Sequence, residues 1–177
     1  MQHKKIHFKY HPNIYSLDIL REAEEGSYPI CQCCGQETKF CSQTMYSRES
    51  VDCICPQCIA NGDAAKMFNG QFVQSAEDFK VNDENKRQEL YYRTPGYISW
   101  QGEYWLACCE DYCAYIGEVG TKELEKMGIA DEVFAEYDSR DYGYEDVRAY
   151  LVKAGSMAGY LFQCLHCKKY HLWVDAD

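Results

Sequence analysis

CQCCGQETKFCSQTMYSRESVDCICPQC, residues 31–58, decides how the N-terminal part of the chain must be organised. Two C-x2-C pairs, Cys31 with Cys34 and Cys55 with Cys58, are separated by twenty residues, at the edge of the spacing that marks a four-thiolate zinc site. Two thiolates on one tight turn converge on a common centre, and two such turns close a tetrahedron. Gly35 follows the second thiolate of its knuckle, where a residue without Cβ lets the chain take positive φ and aim amide N–H groups at sulfur. Pro56 stiffens the other turn. Neither pair lies in a βαβ pattern, so a redox C-x-x-C motif is the poorer reading. Cys33, Cys41 and Cys53 are then surplus and read as small buried apolar residues.

The other cysteines fall at Cys108, Cys109 and Cys113 in WLACCEDYCAYIG (105–117) and at Cys164 and Cys167 in FQCLHCKKYHLW (162–173). Cys164 and Cys167 form a third knuckle running into a strand with alternating Tyr170, Leu172 and Val174. One helical turn would set Cys109 and Cys113 on one face. A second site of Cys109, Cys113, Cys164 and Cys167 is therefore expected, with Cys108, His166 and His171 as alternative ligands. The cofactor expected is Zn2+, two ions per chain.

The 177 residues suit one compact domain or two small units. The expected division is a zinc-ribbon-like region over 1–70 and an α+β region with the second site over 71–177. A formal net charge of −10 argues against nucleic-acid and anionic membrane partners, which need a basic footprint. No apolar run reaches membrane-spanning length, and the start MQHKKIHFKYHPN lacks the apolar core of a signal peptide. The expected location is cytoplasmic, where twelve cysteines would be kept reduced and metal is the usual reason for so many.

The fold class expected is α+β, short strands and several short helices tied by metal. GTKELEKMGIADEVFAEY reads as two short helices parted at Gly128. YEDVRAYLVKAG sets Val147, Tyr150, Leu151 and Ala154 on one face and reads as an amphipathic helix ending at Gly155. GYLFQC and YHLWVD read as strands flanking the terminal knuckle, and Trp100, Trp105 and Leu106 as core. His3, His7 and His11 recur every four residues, but Pro12 and the absence of apolar periodicity argue against a helical metal face; His11 fits an extended aromatic segment better.

Residues 131–146 carry Asp131, Glu132, Glu136, Asp138, Asp141, Glu145 and Asp146 against Arg140 alone, with Phe134, Tyr137, Tyr142 and Tyr144 interleaved. A solvated helix face explains this simply. The sharper expectation is a docking surface for a basic protein partner, where acids steer and tyrosines anchor.

FKYHP (8–12), CQCCG (31–35), CPQCIANGDAAKMF (55–68), RTPGY (93–97), WLACCEDYCAYIG (105–117) and YLFQCLHCKKYHLW (160–173) together resemble the CbrC family of small bacterial proteins. The resemblance implies an association with tolerance of a nuclease colicin, but no established chemistry. That family's pattern has histidine where Cys108 stands and glycine where Lys168 stands, departures that leave the second ligand set open. Two kinds of function are expected to compete. One is a zinc-stabilised protein-interaction module. The other is a metal- or thiol-dependent enzyme, for which the sequence has no H-E-x-x-H or deaminase signature and only Glu110 and Asp111 as acids beside a cysteine cluster. No catalytic residue is assigned.

Overall fold

Apolar residues from Phe8 to Phe72 gather into one core with Ile14, Leu20, Phe40, Ile54 and Ile59, and Cys31, Cys55 and Cys58 belong to it. The computed structural model describes residues 5–17, 19–140 and 144–176; His3, Asp141 and Tyr142 lie outside them. Regular structure in this part is slight. Strands β1 (Arg21–Glu22) and β2 (Phe40–Cys41) pair antiparallel. Helix α1 (Pro56–Ala60) carries Cys58 of the second knuckle, and α2 (Asp63–Met67) follows it.

Two bonds between Ser42 and Ile54, 2.9 and 3.0 Å, bring the flanking chains together. They set the Cα atoms of Cys41 and Cys53 5.1 Å apart, and these two cysteines are joined as a disulfide. Both are buried, as expected of surplus cysteines, but the disulfide departs from the expectation that all the cysteines are reduced.

A second core begins at Tyr10 and continues through Val73, Leu90, Tyr97, Trp105, Tyr115 and Phe162. It is chiefly aromatic: Tyr97 stacks on Tyr115 at 4.4 Å, and the rings of Tyr160 and Phe162 close round them at 4.9 and 5.4 Å. His11 lies inside this cluster, wholly buried, its Nδ1 2.8 Å from the Pro95 carbonyl and its ring edge-on to Tyr115. Burial lowers its pKa to about 4. Trp105 and Leu106 are core as expected, whereas Trp100 is 60% exposed.

Around this core run β3 (Ser75–Ala76), α3 (Glu84–Arg93), β4 (Tyr104–Trp105), and the hairpin β5 (Ala107–Cys108) and β6 (Asp111–Tyr112). Strand β7 (Ala114–Val119) then opens a three-stranded antiparallel sheet with β8 (Met157–Gln163) and β9 (Tyr170–Ala176), β8 at its centre. Ala158 to Phe162 of β8 are all buried, the mark of a strand covered on both faces. Leu172 and Val174 of β9 enter a third core.

Helices α4 (Thr121–Met127) and α5 (Ala130–Asp138) part at Gly128, as the sequence implies. Val133, Phe134 and Tyr137 of α5 are buried. The helix expected up to Gly155 is a single turn, α6 (Val147–Tyr150), and Tyr150 is exposed. Beyond it the Leu151 carbonyl accepts from Thr121 N–H at 3.1 Å and Val152 N–H donates to Met157 at 3.0 Å. Both groups are thus taken by tertiary bonds that a continuing helix would need. The architecture is α+β, helices with small sheets.

Candidate metal centres

The turn at residues 31–36 folds back on itself: Gly35 N–H donates to the Cys31 carbonyl at 2.8 Å and Cys31 N–H to Gln36 at 2.9 Å. Gly35 sits at φ +69°, the left-handed conformation that glycine adopts at no steric cost. Cys55 N–H donates to Cys31 Sγ at 3.2 Å. The Cys55 thiol and the amides of Cys55, Cys34 and Cys33 hold the Cys31 thiol down, to about 4. Cys55 immediately precedes α1, with Pro56 at the helix's first position.

Cys31, Cys34, Cys55 and Cys58 lie together, with every sulfur within 4.8 Å of the others. Cys34 and Cys55 are 3.9 Å apart. A tetrahedron with metal–sulfur bonds of ~2.3 Å has edges of ~3.8 Å, so the spacing suits a four-thiolate metal ion. All but Cys34 are buried.

The second group is Cys108, Cys109, Cys164 and Cys167. Cys108 Sγ is 3.7 Å from Cys109 Sγ and 3.7 Å from Cys167 Sγ, again the edge of such a tetrahedron. The helical turn expected over Cys109–Cys113 is not formed. Residues 107–112 make a β-hairpin, pairing Cys108 with Asp111, and Cys109 and Glu110 form its turn at φ +55° and +57°. That corrects Cys113: between β6 and β7 it lies in the aromatic core, fully buried, with its carbonyl accepting from Trp105 Nε1 at 2.8 Å. Cys108 stands in the group in its place.

The terminal knuckle repeats the geometry of the first. Cys164 N–H donates to the Lys169 carbonyl at 2.9 Å, as Cys31 N–H does to Gln36. His166 and Cys167 N–H both point at Cys164 Sγ at 3.4 Å. The Lys169 amide, then the Cys164 thiol, lower the Cys167 thiol to about 7. Lys168 holds φ +63°, the place Gly35 occupies in the other knuckle. Cys109 and Cys167 are exposed, Cys108 half-buried and Cys164 buried.

Asp111 ties this centre to the fold. Its carboxylate accepts from Tyr10 Oη at 2.7 Å, pairs with Lys9 Nζ at 3.1 Å and meets His166 Nε2 at 3.0 Å. Burial works to raise its pKa, but the bonds from Tyr10, His166 and Lys9 outweigh it and hold the carboxyl below its ordinary range. His166 is therefore engaged by Asp111. His171 is buried beside Glu136 and Arg140, its Nδ1 2.8 Å from Glu136 Oε1. Neither histidine joins the thiol groups.

In the acidic stretch, Asp131, Glu132, Asp138, Glu145 and Asp146 are exposed, while Glu136 turns inward to His171 and Arg140. Tyr137, expected as a surface anchor, is a core residue together with Phe134, because α5 packs its aromatic side on β9. Among the described residues no helix is long and apolar enough to cross a membrane.

The family model described as "Uncharacterised protein family (UPF0167)" matches residues 6–176. A UPF0167 protein of Pseudomonas aeruginosa is 34% identical over 96% of each chain. A UPF0167 protein of Mycobacterium bovis and one of Mycobacterium tuberculosis are each 31% identical, over 95% of this chain and 91% of theirs. No solved structure matches. These findings replace the resemblance to the CbrC family with membership of UPF0167, and they show no colicin association. The chain, matched nearly end to end, belongs to the UPF0167 family.

Proposed function

We propose that this is a two-zinc protein whose thiolate centres, zinc-ribbon-like in their knuckles, are structural and make the chain a cytoplasmic protein-interaction module. One zinc organises residues 1–70, the other residues 71–177. The observation that carries the reading is four sulfurs within 4.8 Å of one another in each group, with contacts of 3.9 Å in the first and 3.7 Å in the second, together with amide N–H groups aimed at Cys31 and Cys164. Four thiolates favour Zn2+ or iron over hard cations. Structural zinc sites fill all four positions with protein ligands, which both groups can do.

Elemental analysis of the untagged protein tests this. Two zinc ions per chain are expected, falling to one in Cys34→Ser/Cys55→Ser and to one in Cys108→Ser/Cys164→Ser. Iron in place of zinc, or a content unchanged by either double variant, would refute it.

The exposed acids of α5 and of residues 145–146 favour a basic partner surface as the contact. With Phe134 and Tyr137 buried, attraction rests chiefly on charge and should weaken with salt. A Glu132→Lys/Asp138→Lys variant should lose a partner that the wild type retains at low salt. Equal retention would place the contact elsewhere. The competing enzyme reading has less to work with, since Asp111 is committed to Tyr10, Lys9 and His166.

A further inference from the structure

Between α2 and the end of α3 lies a cleft of about 580 Å³. Its lining includes Lys66, Arg93, Tyr46, Tyr92 and Gln88 and contains no acid, in a chain whose acids outnumber its bases by 28 to 18. Lys66 and Arg93 have no carboxylate partner among the described residues. Each stands in the last turn of its helix, where the helix dipole welcomes a cation. That accounts for each charge alone, not for their meeting in one acid-free cleft.

The aromatic wall is held in place. Tyr46 exchanges backbone bonds of 2.7 and 3.0 Å with Gln71 and donates its hydroxyl to the buried carboxylate of Glu103, yet remains 43% exposed. Gly70 lets the chain close on it, since a Cβ there would lie 2.6 Å from the Tyr46 carbonyl. A fixed, half-bare ring and the exposed ring of Tyr92 offer stacking faces. Side-chain amides at Asn69, Gln71 and Gln88 line the cleft; Gln71 and Gln88 already donate to the Val73 carbonyl and to Glu84, which leaves their carbonyl oxygens as acceptors and Asn69 as donor and acceptor. The volume lies in the range of small-molecule sites.

We propose that this cleft binds a small anion carrying a planar ring, of the nucleoside monophosphate class. Lys66 and Arg93 take the phosphate and the tyrosines take the base. The proposal is independent of the metal reading, because none of these residues is a thiol.

Calorimetric titration of the intact protein with each common ribonucleoside monophosphate, with adenosine and with inorganic phosphate tests it. At least one monophosphate should saturate in the millimolar range or tighter. Adenosine and phosphate should each bind about tenfold more weakly or worse, and Lys66→Gln/Arg93→Gln should weaken the monophosphate about tenfold or more, the loss of charge-assisted bonds. Tyr92→Ala, an exposed substitution, should weaken it as well and guards against misfolding of the double variant. No saturation by any monophosphate, phosphate binding as well as the best of them, or affinity unchanged in both variants would each overturn the proposal.

Discussion

Cys108 and Cys113 differ by five positions and by everything that matters to a ligand. Cys108 lies half-exposed at the hairpin's end, 3.7 Å from two other sulfurs. Cys113 is sealed among Trp105, Tyr115 and Phe162, and burial raises its thiol pKa. Cys113→Ser should therefore keep both metal ions and cost about 1–3 kcal/mol, the penalty of a hydroxyl buried without a partner; metal content and urea unfolding of one variant check both halves. His11 gives the second prediction at this scale. Its folded pKa of about 4 lies below an unfolded value of ~6.5, so the folded state binds fewer protons. Its stability contribution is complete above pH ~6.5 and is lost as pH falls toward 4, a total of about 3 kcal/mol. His11→Phe should flatten the fall in unfolding free energy between pH ~7 and pH ~4.5 relative to wild type. Acid release of metal is common to both proteins and cancels in the comparison; identical slopes would remove His11 as the cause.

Two knuckles closed by the same backbone bond, Cys31 N–H to Gln36 and Cys164 N–H to Lys169, carry Gly35 in one and Lys168 in the other at the left-handed position, φ +69° and +63°. A side chain with Cβ pays a steric cost there that glycine avoids. Lys168→Gly should thus stabilise the protein by about 1 kcal/mol, measured by denaturant unfolding with metal bound; destabilisation would mean that the Lys168 ammonium, 2.7 Å from the Leu165 carbonyl, matters more than the backbone. Knuckles, β8, β9 and the Gly128 break were legible because each follows from local pattern: thiol spacing, period-two alternation, a glycine between periodic segments. The hairpin carrying Cys108 was not, because its two-residue turn is Cys109–Glu110, without the Asn-Gly or Asp-Gly signal such turns usually show. A four-residue cysteine spacing then looked helical. Likewise the apolar face of residues 147–154 is real in sequence, but Thr121 and Met157 claim the backbone bonds that would extend α6. Tertiary competition of that kind leaves no mark on the local sequence.

Across the whole molecule the two thiol groups stand in different relations to the cores. Cys31, Cys55 and Cys58 are themselves members of the N-terminal core, packed with Phe40, Ile54 and Phe72. That part has few strand bonds to hold it, so its packing and the proposed metal depend on each other. The second group sits at the edge of the aromatic core, with Cys164 inside it and Cys108 packed against it, but solvent reaches the group at Cys109 and Cys167, and that core has a three-stranded sheet of its own. Loss of metal should therefore come in two steps. A strong chelator is expected to take the exposed ion first, leaving the aromatic core folded, and to take the buried ion more slowly, at the rate at which residues 8–72 open. Zinc release followed by a chromogenic chelator should show two phases, and Cys108→Ser/Cys164→Ser should abolish only the fast one. Hydrogen exchange in residues 8–72 should accelerate with the slow phase, since the core that shields those amides contains three of the ligands. A single phase for both ions, or loss of the slow phase in that variant, would mean that solvent exposure of the thiols does not set the order of release.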